Sequence, residues 1–168
     1  MNRTLGPLLL ICLLLPACGY QLSGAGRLPG GAETISVLMP KNNTTEIGIQ
    51  ARLNSDISYE VTRRDSRRMA GPENADVLLS GVVKTVKDTD IAHTGTSTAS
   101  QRRVTVKVDM QLARPDGEVL WRSSGLSDYE AYDVGGDLDE TTQNRQDAIE
   151  KLSRRLAETI YRSITTEF

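Results

Sequence analysis

Between Arg103 and Ala113 the chain alternates without a break. Val104, Val106, Val108, Met110 and Leu112 take every second place, and Arg103, Thr105, Lys107, Asp109 and Gln111 take the others. A period of two puts the first set on one face of a strand and the second on the opposite face. A strand with one apolar face must bury it against a second layer, so the chain predicts a sheet with helices on one side.

The flanking segments supply the rest of that architecture. Thr34–Met39 reads as a strand stopped by Pro40, and Lys41–Thr45 as a polar turn with Thr45 as the helix N-cap. Ile49, Leu53, Ile57 and Val61 then recur every fourth residue, which predicts an amphipathic helix of about four turns, with Gly48 weakening its start. Ala75–Lys87 is rich in β-branched residues and reads as a strand. The polar tract 88–101 reads as a mobile hairpin loop, with His93 a solvent-facing side chain and not a metal ligand. Arg114-Pro115-Asp116-Gly117 is a tight turn, and Glu118–Tyr132 returns as the partner strand with Trp121 in its apolar part, as a core aromatic. Asp137 and Glu140 resemble a capping box, with Asp139 adding charge to the first turn. Behind them Ile149, Leu152, Leu156, Ile160 and Ile164 form the stripe of a closing helix.

The order is β-α-β-β-β-α, with a short extra strand near Arg67. The first two strands flank a helix, so they should be parallel with a right-handed crossover, and the later ones antiparallel. The fold expected is α+β, a two-layer sandwich with both helices on one face of a mixed sheet. The face carrying Arg103, Thr105 and Lys107 then has no internal cover.

The N-terminus is of a different kind. Arg3, the apolar run Leu8–Leu15 and Ala17 form the three parts of a secretory leader, too short to span a bilayer as a helix. Cys18 follows Ala17 directly, which reads as a lipobox despite the unusual Pro16, and residues 1–17 as a cleaved signal. Cys18 would then carry N-acyl and S-diacylglycerol groups. Gly19, where an Asp would mark inner-membrane retention, points to the outer membrane. Residues 18–31 form a short Gly/Pro-rich tether, and 32–168 a single domain. The other cysteine, Cys12, leaves with the leader, so the mature chain has no disulfide.

Composition narrows the function. Without Arg3, 19 basic residues face 22 acidic ones, a net charge of −3, which argues against nucleic acid as a partner. One histidine and no mature free thiol leave no metal-ligand spacing and no nucleophile motif, so the chain is read as a binding or structural protein with no cofactor beyond its lipid. Arg63-Arg64-Asp65-Ser66-Arg67-Arg68 allows two readings: an anion site, or a solvated helix end suited to the negative pole of the dipole. The second is preferred.

Several stretches, in order, resemble the LPS-assembly lipoprotein family LptE. They are Cys18-Gly19-Tyr20-Gln21-Leu22, Ile35–Pro40 with Asn43-Thr44-Thr45, and Ala75–Gly81. The Arg103–Leu112 strand, Asp116–Trp121 and the helix Asn144–Ile164 complete the series. The resemblance implies helices on one side of a mixed sheet and a place as a plug inside an LptD-like outer-membrane barrel. It also implies help in assembling that barrel and a part in binding lipopolysaccharide and delivering it to the outer leaflet. Arg102, Arg103 and Lys107 are the candidate lipopolysaccharide contacts, the alternative being a solvated strand face of mixed charge. Two other roles compete. One is a CsgG- or LpoB-type lipoprotein acting in secretion or cell-wall synthesis, against which stand the short tether and the lack of amphipathic membrane hairpins. The other is a hydrolase using the carboxylates of the Gly135–Glu140 loop.

Overall fold

The structure is a computed structural model that describes residues 26–94 and 98–166. The leader, Cys18 and the start of the tether lie outside these residues. The sheet contains β1 (Ile35–Val37), β2 (Lys41–Asn42), β3 (Val77–Thr94), β4 (Thr98–Ala113) and β5 (Val119–Asp133). The helices are α1 (Ile49–Arg64) and α2 (Leu138–Thr166). The strand order is β1-β3-β4-β5, with β2 also pairing β3. β1 and β2 run parallel to β3, while β3–β4 and β4–β5 are antiparallel. This is the expected α+β sandwich.

β4 behaves as its alternation requires. Val104, Val106, Val108, Met110 and Leu112 are all buried, and so are Leu53, Ile57 and Val61 of α1 and Leu152, Leu156, Ile160 and Ile164 of α2. Fully burying each such side chain stabilises the fold by roughly 1.5–3 kcal/mol relative to exposure. Trp121 lies within this core at 6% exposure, a packing residue and not a binding platform.

Four local features differ from the sequence reading. Lys41 and Asn42 are not a turn but a short strand, paired with Val82 and Val83. Pro40 interrupts a single line of chain along β3, which resumes once N–H groups are available again. Thr45 does not cap α1. Its N-cap is Gly48, left-handed at φ 84°, and the preceding loop is organised by Asn42. The Asn42 side chain donates to Glu46 O (2.8 Å) and Gln50 Oε1 (3.0 Å) and accepts from Thr44 N (2.9 Å). Of the tract 88–101, residues 88–94 and 98–101 are strand and not loop: β3 runs to Thr94 and β4 starts at Thr98. Ladder bonds are main-chain bonds, so threonines, serines and aspartates on both faces do not prevent pairing; they only hide it from a hydrophobic pattern. Finally, Ser66–Arg68 is a 3-10 turn, and the bridge to β1 comes one residue later, between Ile35 and Met69.

Two tight contacts hold β3 in place. At its start, Asp76 Oδ2 accepts hydrogen bonds from Glu33 N, Thr34 N and Thr34 Oγ1, all at 2.9 Å, and Asp76 N donates back to Thr34 Oγ1 at 3.0 Å. This clamp joins the entry of β1 to the entry of β3 across 42 residues. Further along, Gly81 opposes Met110 in β4. A Cβ there would lie 2.6 Å from the Asp109 carbonyl oxygen and overlap the Met110 side chain.

Gly81→Val should therefore lower unfolding stability by about 1–3 kcal/mol through overpacking, read from a urea titration. The Asp76 clamp predicts a pH dependence. Hydrogen bonds from Glu33 N and Thr34 lower the pKa of this carboxyl. Its contribution is complete above the ordinary carboxylate value of about 3.9 and is lost as pH falls through the lower folded-state value. Asp76→Ala should reduce the urea midpoint at pH 7, and its difference from the unsubstituted protein should shrink as pH falls below about 4.

Candidate functional site

The helices cover one sheet face and leave the other open. The register places Thr85, Lys87 and Thr89 of β3 beside Lys107, Thr105 and Arg103 of β4, and these beside Ser127, Tyr129 and Ala131 of β5. All nine lie on the open side, because the β4 residues between them, Val104, Val106 and Val108, face the core. Arg103 and Lys107 are thus four residues apart on one face, as the alternation requires. Arg102 is on the other: it bonds Asp90 Oδ1 at 2.8 Å and pairs in register with Tyr132, which is buried toward the helices.

Two bulges shape the centre of this face. Lys84 is an extra residue in β3 between the pairs Val83–Val108 and Thr85–Lys107. Ser124 and Gly125 together oppose Asp109 in β5, between the pairs Val108–Leu126 and Met110–Ser123. Gly125 is left-handed at φ 73°, and a Cβ on it would meet Lys107 Cε at 2.9 Å, so the lysine stem crosses a position that only glycine leaves vacant. Asp109 Oδ1 accepts from Gly125 N at 2.7 Å, and Lys84 Nζ stands 3.9 Å from Asp109 Oδ2. Lys84, Thr85, Lys107, Asp109, Ser124 and Gly125 thereby line a shallow depression of about 350 Å³.

Above it the Arg103 guanidinium carbon sits 4.4 Å from the centre of the Tyr129 ring, which is 54% exposed. Stacking on the ring fixes the guanidinium plane and leaves its outer donors for an anionic group. With Lys87, Arg122 and Lys41, whose partner Val82 pairs with Asp109, this face carries six cations among the described residues, around Asp109 and, at its upper end, Asp133. It is suited to several phosphate or carboxylate groups spread over a surface, not to one small molecule in a deep pocket.

Sequence reasoning missed Tyr129, Lys84, Lys87, Arg122 and Gly125. A signal existed for Tyr129 in the alternation of Ser127, Tyr129 and Ala131. It was masked because the helix-facing neighbours Asp128 and Glu130 are acidic. These bind Arg155 of α2, at 2.7 and 2.6 Å, so polar residues occupy both sides of the strand.

The remaining charged clusters hold the fold together. Arg145 of α2 bonds Glu46 (2.7 Å) and Asp88 (3.1 Å), and Asp88 also accepts from the Tyr132 hydroxyl (2.8 Å). The bond to Glu46 is the largest cause raising the Arg145 pKa. In the arginine run, Arg63 and Arg64 pair with buried Glu60, at 2.9 and 3.4 Å, and Arg68 with Asp65 at 3.6 Å. Arg64 also lies over the Tyr161 ring at 5.0 Å. The run is therefore a helix end with internal partners. In the 135–140 loop, Glu140 N donates to Asp137 Oδ1 (2.8 Å) and Glu140 Oε2 accepts from Gly136 N (2.7 Å), so these carboxylates cap α2. His93 lies in β3, paired with Ala99, and its side chain lies outside the described residues. Among the described residues, no three His, Cys, Asp or Glu are grouped to hold a metal ion, and no helix is long and apolar enough to cross a membrane.

A two-layer α+β domain of this topology is shared by solved bacterial lipoproteins. An uncharacterized lipoprotein B from Nitrosomonas europaea superposes with a TM-score of 0.62 at 10% identity, over 85% of this chain and 87% of that one. The rare lipoprotein B from Shewanella oneidensis gives 0.54 at 11% identity, over 76% and 92%. A minor lipoprotein from Acinetobacter baumannii gives 0.52 at 13%, over 79% and 90%. At these identities the likeness establishes the fold. A search of curated proteins finds no significant match. The family model for LptE, lipopolysaccharide-assembly, matches residues 32–164, and the chain belongs to that family. It is accordingly a membrane-associated lipoprotein of lipopolysaccharide assembly, from a family that is not enzymatic.

The capping role of the 135–140 loop is testable. Asp137→Ala should cost about 1 kcal/mol of stability in a thermal melt, and ligand binding by the folded variant should not change.

Proposed function

We propose that this protein is an outer-membrane lipoprotein, anchored by acyl chains on Cys18, that plugs an LptD-like β-barrel. In this role it helps the barrel assemble and receives lipopolysaccharide on its way to the outer leaflet. The observation that carries the reading is the basic sheet face, left uncovered in a chain whose family works in lipopolysaccharide assembly. Lipid A and inner-core phosphates are multivalent anions on an extended surface, and charge-assisted bonds from Arg103 and Lys107 match them. Arg102 reaches the same end of the sheet from its other face, and the pair it makes with Asp90 would have to open before it bound a phosphate.

The domain is compatible with a plug. Leu28 is buried in the core, and Arg114 Nη2 bonds Gly30 O at 2.7 Å, so the segment leading to the anchor is fastened to the domain. Gly26 abuts Thr165 near the end of α2, which leaves only residues 19–25 between Cys18 and the described structure.

The test is binding of purified lipopolysaccharide to the full-length protein at low salt. Arg103→Ala/Lys107→Ala should fold normally and bind roughly tenfold more weakly or worse. Unchanged affinity would reject the face as the lipid site. Copurification from detergent-solubilised outer membranes should yield a stoichiometric large β-barrel. A cell-wall synthase or a ring of identical subunits in its place would reject the plug.

A further inference from the structure

The two long edges of the sheet are treated differently. β5 lies at one edge, and three of its outward main-chain groups are held by the protein's own side chains. Arg155 Nη2 donates to Tyr129 O at 2.5 Å, Asn144 Nδ2 to Asp133 O at 3.1 Å, and Tyr129 N to Asp128 Oδ1 at 2.7 Å. At the other edge, β1 and β2 cover β3 only as far as Val83, where Asn43 N makes the last bond, to Val83 O at 3.0 Å. Asn42 then turns the chain away into the loop before α1. β3 continues for eleven residues beyond that point, from Lys84 to Thr94.

The alternation of the ladder shows which groups are left over. Val77 N and the carbonyls of Leu79 and Val83 bond the β1–β2 side, so the even residues between them face β4. The bulge at Lys84 inverts this order. Thr85, Lys87 and Thr89 then bond Lys107, Thr105 and Arg103, while the N–H and C=O groups of Val86, Asp88 and Asp90 point out of the sheet. Among the described residues nothing in the protein bonds them, and a second bulge follows Asp90. The result is a regular lane of six residues, Thr85–Asp90, with a bulge at each end.

We propose that this lane receives an extended segment of a partner polypeptide, which adds to β3 as a strand in line with β2. Main-chain bonds to Val86, Asp88 and Asp90 would supply the affinity. Side chains define the partner further. Asp88 and Asp90 are already engaged by Arg145 and Arg102, whereas Lys87, on the open face of the lane, has no carboxylate within 4.0 Å among the described residues. The incoming strand therefore carries a carboxylate next to Lys87. A second copy of this lane cannot provide it, because its open-face positions are Thr85, Lys87 and Thr89.

The test is amide hydrogen exchange of the full-length protein, comparing native outer-membrane vesicles with detergent-purified protein. The amides of Val86, Asp88 and Asp90 should exchange roughly tenfold more slowly in the vesicles. Asp90→Pro removes one outward N–H and leaves the ladder to β4 intact, and Asp90→Ala removes the same carboxylate but keeps the N–H. In vesicles the alanine variant should retain protection at Val86 and Asp88, and the proline variant should lose it, with circular dichroism confirming that both fold. Equal exchange of the unsubstituted protein in vesicles and in detergent would overturn the proposal, whatever the proline variant does. Protection that appears in purified protein and grows with concentration would also overturn it, in favour of self-pairing. The outcome is separable from the plug reading. A copurifying barrel with an unprotected lane refutes only the lane, and a protected lane without a barrel refutes only the plug.

Discussion

The fold depends on β4 having one apolar face. The strand is paired on both sides, by β3 and β5, and its five core-facing side chains are buried beneath two helices. Everything on one side of the sheet follows from covering that stripe: a crossover helix between β1 and β3, and a closing helix of 29 residues that returns over β4 and β5. The opposite side is defined by the same strand. From Arg103 to Leu112, each residue that is not in the core is, by the pleat, on the open face, so the burial that holds the domain together also presents Arg103 and Lys107 outward.

Ion pairs at the rim of the core set how the helices sit. Arg145 joins the loop before α1 to β3 through Glu46 and Asp88, and Arg155 joins α2 to β5 through Asp128 and Glu130. Both arginines come from the helix whose stripe is aliphatic, and both reach past it to acids on the helix-facing side of the sheet. These two cations of the helix layer are thus neutralised by acids of the sheet side and of the loop before α1. Those on the open sheet face are not matched in the same way, since among the described residues Asp109 and Asp133 stand among six cations there. The difference separates a charge pattern that orients elements from one that is available to a ligand.

The bulges give this surface its relief. Lys84 in β3 and Ser124-Gly125 in β5 flank the same part of β4, and Gly125 lets the Lys107 stem lie across the strand. The Lys84 bulge also inverts the hydrogen-bonding order of β3, which turns the main-chain groups of Val86, Asp88 and Asp90 toward the unfilled edge. One inserted residue thus contributes both to the depression and to the lane beside it.

The sequence alone determined the parts that rest on periodicity and on turn chemistry. Alternation identified β4, i,i+4 spacing identified the buried stripes of α1 and α2, Pro115 and Gly117 the turn, and Asp137 with Glu140 the cap. From these the layer order and the uncovered face were legible. Tertiary structure alone decided what depends on a distant partner. β2 exists because β3 offers main-chain groups to two polar residues after a proline. Residues 88–94 and 98–101 are sheet because main-chain pairing needs no apolar pattern. Arg102 and Arg103 are neighbours in sequence, yet the pleat sends one toward the helices and Asp90 and the other toward Tyr129. Side-chain polarity records which face a residue prefers to show to water. It does not record which strand lies beside it or where a bulge shifts the register, because those are set by main-chain bonds that almost every residue type can make.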